Sequence, residues 1–179
     1  KSLARSIGLL LLAMLASSKS AGAVDWPQWL GPQRDAVWRE TGIVKKFPEG
    51  GPNVLWRTPI GGGYAGPAVA NGRVYITDRI LAEGASDPES QFTRGKTPAK
   101  ERVLCLNEAD GKVLWKHDYE CVYTVSYPAG PRTTPVVQGG KVYTLGSTGH
   151  LFCLEAQTDK ALWSQASQKD YERKLAPGC

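Results

Sequence analysis

The sequence predicts an all-β chain of four-stranded antiparallel blades, and three observations predict it. Residues Pro67–Thr77 (PAVANGRVYIT) recur as Pro135–Leu145 (PVVQGGKVYTL), and Val103–Trp115 (VLCLNEADGKVLW) recurs as Leu151–Trp163 (LFCLEAQTDKALW). Short β-rich runs in each copy flank turn formers such as Asn71-Gly72, Gly139-Gly140 and Asp110-Gly111. Such pairs tolerate positive φ and so join antiparallel strands tightly. Nothing between Val54 and Trp163 sustains an apolar period of 3.6 for three turns, which argues against helices.

The strands follow in order. In the first copy Ala68-Val69-Ala70 and Arg73–Thr77 flank Asn71-Gly72, while Val103–Leu106 and Lys112–Trp115 flank Asp110-Gly111. In the second copy Gly139-Gly140 and Thr158-Asp159 hold the two turn positions. The front halves of the copies are offset by 68 positions and the ends by 48, so the first copy carries 20 extra residues, all within Asp78–Arg102. The lead-in from Trp56 to Pro67 is 11 residues and that from Trp115 to Pro135 is 20, an excess of 9. Without both insertions the period is 39, close to the ~40 to 45 residues of a propeller blade. The fold class is therefore a β-propeller with about two blades present. Closed propellers use ~4 to 8 blades, and Ser164–Cys179 reaches no further repeat, so the chain reads as an incomplete propeller, a piece of a longer one.

The insertions carry a functional expectation. Strand direction alternates in a blade, so the second-to-third connection lies at the same end as the connection into the next blade, and both insertions decorate that end. Long connections on one face of a rigid scaffold commonly bind. The tract Leu81–Lys100, with mixed charge and turn formers, predicts a solvated loop. His117–Thr134 predicts a blade-to-blade loop bearing Tyr119, Cys121, Tyr123, Tyr127 and Arg132. These five are the candidate ligand-face residues, for a protein or a small molecule; packing of the tyrosines on their own blade is the alternative.

The segment Cys105–Trp115 (CLNEADGKVLW) resembles the tryptophan-docking motif of pyrroloquinoline quinone (PQQ) repeats, with Asn107, Asp110, Gly111, Lys112 and Trp115 at its places. Cys153, Glu155, Thr158, Asp159, Lys160 and Trp163 take those places in the second copy. Both copies put Cys where the motif has Ala, and Asp159 replaces its Gly. Asp25–Gly31 (DWPQWLG), with Gly50–Trp56 (GGPNVLW), also resembles the amino-terminal region of secreted PQQ-like propeller proteins. The resemblance implies blades locked by Trp56, Trp115 and Trp163 stacking on neighbouring blades, with Gly111 in the docking turn. It leaves two functions open. One is a non-catalytic exported binding or scaffold module; the other is a PQQ-dependent quinoprotein dehydrogenase oxidising alcohols or sugars. The second would need PQQ, calcium held by carboxylates and an amide, and a catalytic Asp. No motif here carries those residues, so the cofactor remains unknown and the binding module leads.

The amino terminus is a separate object. Lys1 and Arg5 precede the apolar run Ile7–Ala16, and Ala21-Gly22-Ala23 supplies the small residues of a signal-peptidase site, so cleavage before Val24 and export to the periplasm or beyond are expected. The run is too short for a stable membrane span. The expected organisation is a signal peptide over 1–23, a Trp-rich lead-in over 24–52 and propeller repeats over 53–179. Losing 1–23 removes Lys1, Arg5 and Lys19 but no acid, lowering the net charge from +5 to +2. The basic excess belongs to the leader, so no nucleic-acid partner is expected. His117 and His150 are the only histidines, and no CxxC is present, so no metal site is expected. Cys105 and Cys153 share one phase of matching strands and read as small wall residues, whereas Cys121 and Cys179 read as loop or tail residues. Gly61-Gly62-Gly63 reads as a flexible connection, and the three tryptophans of Asp25–Trp38 as an outer brace.

Overall fold

The computed structural model describes residues 24–167; the expected signal peptide over 1–23, the tail after 167 and Cys179 lie outside the described residues. The first sheet comprises β1 (Ala68–Ala70), β2 (Arg73–Leu81), β3 (Thr97–Asn107) and β4 (Val113–Tyr123), and the second β5 (Val136–Gln138), β6 (Lys141–Leu145), β7 (His150–Glu155) and β8 (Ala161–Ala166). Each sheet is antiparallel with its strands in sequence order. These are two consecutive propeller blades.

The repeat in sequence is a repeat in register. Ala68 pairs with Tyr75 as Val136 pairs with Tyr143, and Cys105 pairs with Trp115 as Cys153 pairs with Trp163. A bulge follows that last pair in both blades. Asn71 and Gly72 have φ of 54° and 72°, and Gly139 and Gly140 have 58° and 72°, the two positive values that a type I′ turn requires. The innermost strands β1 and β5 lie side by side. One apolar cluster runs from Ala68, Tyr75, Cys105 and Trp115 of the first blade to Val142, Leu154 and Ala156 of the second. Each sheet is too thin to bury both faces alone, so the blades share this core.

Two expectations fail here. The ends of the two segments expected as loop are strand: β2 and β3 stay paired as far as Leu81 opposite Ala99, and β4 runs on to Tyr123 opposite Thr97, whereas residues 82–96 and 124–134 hold no strand, as expected. The first blade is therefore about twice as long as the second at one end. Its lengthened part has its own small core of Ala99, Cys121, Tyr123 and Val125. The glycines of 61–63 also pack tightly. Gly62 forms a bridge with Arg79, and a Cβ on Gly61 or Gly62 would run into the backbone of Arg79 or Ala129. Close approach explains these glycines better than flexibility does.

Candidate functional site

Trp56 and Trp115 make equivalent contacts one repeat apart. Trp56 Nε1 donates to the Glu108 carbonyl at 2.8 Å, and Trp115 Nε1 donates to the Ala156 carbonyl of the second blade at 3.0 Å. Glu108 and Ala156 are 48 positions apart, as are Trp115 and Trp163. Gly111 has φ of 70°, and a Cβ there would run into the Trp56 ring; its counterpart Asp159 holds φ of 64°. Tyr75 leans on Trp115 with ring centroids 5.9 Å apart and donates to the same Ala156 carbonyl. Tyr143 and Trp163 repeat that geometry at 6.2 Å, but Trp163 is 43% exposed. Among the described residues no acceptor for its indole N–H is found.

The lengthened strands bring together a polar cluster at the blade boundary. Arg79, Glu101 and Tyr119 are cross-strand partners, so their side chains share one face of the first sheet. That face looks onto the β6–β7 turn of the second blade. Glu101 is 0% exposed. Its carboxylate accepts the hydroxyls of Tyr119 and Tyr123, and across the boundary it accepts the Ser147 N–H at 3.0 Å. Burial, then the charge of Glu101, holds both phenols far above the usual range. Cys121 Sγ lies 3.1 Å from Thr148 Oγ1, and burial pushes its thiol up to about 11. It is an inert packing group at neutral pH. Arg79 pairs with Asp87 and lies 4.8 Å over the Tyr123 ring. On the opposite sheet face Asp78, also 0% exposed, binds Arg102 Nε at 2.8 Å and accepts the Gly61 N–H at 2.6 Å. The Arg102 guanidinium is held above its ordinary range by that carboxylate.

The structure thus divides the five candidate residues. Tyr119, Cys121 and Tyr123 lie on β4, not on a loop, and turn into the blade boundary. Their alternation with exposed Lys116, Asp118, Glu120 and Val122 is a period-2 strand signal that was present in the sequence. Tyr127 and Arg132 lie in the connection after β4, where the two insertions clasp each other. The Tyr127 N–H donates to the Gln91 carbonyl at 2.6 Å, and Ser126 Oγ donates to the Phe92 carbonyl at 3.2 Å. The Phe92 and Tyr127 rings meet edge-on at 5.3 Å, yet Phe92 is 67% and Tyr127 41% exposed. Tyr127 has φ of 53°, a conformation uncommon for a bulky residue. Arg132 maintains it by donating from Nη2 to the Ser126 and Tyr127 carbonyls at 2.8 and 2.7 Å, with its guanidinium 5.4 Å over the Tyr64 ring. The sequence reading missed Phe92, Tyr64 and Glu101.

The Trp-rich lead-in crosses the inner strands rather than bracing the outside. Trp26 exchanges backbone hydrogen bonds with Val69 of β1, and the Pro27 carbonyl accepts from Val137 of β5. Trp29 and Trp38 remain exposed.

A calcium ion beside a quinone needs converging oxygen ligands with free lone pairs. The two fully buried carboxylates of the blade do not fit that requirement. Glu101 is occupied by two phenols and an amide, and Asp78 by a guanidinium and an amide. Among the described residues no group of three or more His, Cys, Asp or Glu converges.

Residues 99–176 match a PQQ-repeat family model described as outer membrane protein assembly factor BamB. The chain matches no curated protein in sequence. Among solved structures it is similar to BamB from Moraxella catarrhalis, with 14% identity and a TM-score of 0.30 over 41% of this chain and 21% of that one. It is also similar to the quinohemoprotein alcohol dehydrogenase ADHIIG from Pseudomonas putida HK5, with 24% identity and a TM-score of 0.42 over 68% of this chain and 16% of that one. The chain spans about a fifth or less of the length of either protein.

Proposed function

This is a chain of PQQ-like propeller repeats, and on that premise we propose that it serves as an exported binding module whose lengthened end holds a protein partner. The observation that carries the reading is the exposed Phe92–Tyr127 pair, fixed by Arg132 at the end where both insertions meet. Aromatic residues and arginine dominate the energetics of protein interfaces. Holding Tyr127 at positive φ costs free energy that the clasp must offset, and such strain is concentrated at sites that present a side chain for use. The family description as an assembly factor favours a protein over a small molecule. Export is supported by the basic, then apolar, then small-residue order of 1–23. Tyr119, Cys121 and Tyr123 support the clasp from within and do not touch the partner.

A photo-reactive residue placed at exposed Thr133, in the full chain exported by its own cell, tests this. A discrete protein adduct is expected from the wild type. It should be lost when Phe92 and Tyr127 are both replaced by Ala, with the urea midpoint of the chain unchanged. An adduct that survives the double replacement, or none in the wild type, sinks the reading.

A further inference from the structure

One hydrogen bond in the lead-in joins two residues that neither the fold nor the partner face explains. The backbone nitrogen of Val24 donates to Glu40 Oε1, sixteen residues away. Val24 directly follows Ala21-Gly22-Ala23, the expected signal-peptidase site. We propose that Glu40 is the receptor for the α-ammonium created when the leader is removed before Val24, so that processing itself fastens the lead-in. The inference rests on the export reading above.

Hydrolysis of the Ala23–Val24 bond by a signal peptidase consumes one water. The C–N bond breaks, the water oxygen makes the Ala23 carbonyl a carboxylate, and both water protons go to the Val24 nitrogen, which becomes an ammonium. Before cleavage that nitrogen is a neutral amide with one N–H to donate. Afterwards it carries three donors and a full charge opposite the same carboxylate, and charge-assisted hydrogen bonds are roughly twice as strong as neutral ones. Neighbouring charges leave this pair alone. Arg39 is committed to Asp35, and the Asp25 carboxylate accepts the Asn71 N–H. Among the described residues Glu40 has no second polar partner.

The position gives the capture a purpose. An apolar cleft of about 130 Å³ lies between Val24, Trp26, Val37 and Trp38. Its Trp26 wall is fixed to β1 by the pairing with Val69, whereas among the described residues the polar ties of the Trp38 wall stay within the lead-in, through the Asp35–Arg39 pair and the Ala36 N–H to the Leu30 carbonyl. A bond from Val24 to Glu40 joins the two walls.

The test uses protein purified from the exporting cell. N-terminal sequencing should find Val24 first. The rate of reductive methylation of the α-amine at pH 7, read by mass spectrometry of the terminal peptide, then compares the wild type with Glu40→Gln and with a chain made to begin at Ala23. A partly exposed ion pair should slow methylation roughly two- to fivefold relative to both variants, and the difference should vanish in urea. Equal rates in the folded proteins would overturn the capture. A first residue other than Val24 would overturn the cleavage on which it depends, and the Ala23-first chain decides the matter if Glu40→Gln fails to fold.

Discussion

The two blades share a register, a bulge and both hairpin turns, and they differ in what lies beyond the repeat. The first buries its closing tryptophan, with Trp115 at 8% exposure, and extends β2, β3 and β4 into a polar, tyrosine-lined continuation. The second leaves Trp163 at 43% exposure and stops at the repeat. The comparison separates two tasks. The repeat supplies stacking of blade on blade, and the continuation supplies a second contact at the end where the insertions meet. The same indole in the same register is buried in the blade whose neighbour is among the described residues and exposed in the blade whose next neighbour is not.

The largest expected effect tests that contrast directly. Trp115→Ala should lower unfolding free energy by about 3 to 5 kcal/mol, because it removes a buried indole and leaves the Ala156 carbonyl with one donor fewer. Trp163→Ala in the same chain should cost less than about 1.5 kcal/mol, since much of its surface is already in water. Urea denaturation of both variants measures the difference, and equal losses would show that docking is not what distinguishes the blades.

A smaller effect tests the polar continuation. Glu101→Gln removes the charge that two phenols and the Ser147 N–H address, and places an amide donor where acceptors are needed. The expected cost is about 2 to 3 kcal/mol. The exposed Lys100–Glu120 pair on the other sheet face, at 3.1 Å, should lose under about 0.5 kcal/mol in Lys100→Gln. A loss for Glu101→Gln as small as that for Lys100→Gln would mean that the second blade does not lean on the continuation.

The blades themselves were legible because their apolar repeat, turn pairs and closing tryptophans all appear in the sequence. The continuation was not, for a physical reason. Its inward positions on β2 and β3 place Arg79 and Glu101 between the apolar Leu81 and Ala99 and the repeat, so the apolar alternation that announces a half-buried strand is interrupted there. Asp87-Pro88 and Gly95 then make the intervening residues look like loop throughout. Only β4 kept a readable alternation, from Lys116 to Tyr123. Tyr127 and Arg132 were found from residue type at a decorated end. Phe92 was hidden because its significance comes from a contact with Tyr127 across 35 positions of chain, which no local pattern encodes.

The smallest expected effect concerns a second turn position where, as at Asn71 and Gly139, the blades differ in residue but agree in conformation. Gly111 and Asp159 both hold left-handed backbone, at φ of 70° and 64°. A side chain with a Cβ is disfavoured there, less so for Asp than for most residues. At Gly111 the space is also occupied by the Trp56 ring. Exchanging the residues separates conformation from contact. Gly111→Asp should cost about 2 kcal/mol or more, because backbone preference and collision with Trp56 act together. Asp159→Gly should stabilise by about 0.5 to 1 kcal/mol through the backbone alone, reduced by the greater freedom of glycine in the unfolded chain. Urea midpoints decide it. If Asp159→Gly destabilises instead, the Asp side chain contributes more to its turn than its conformation costs, and the second blade's departure from glycine is a local adaptation in its own right.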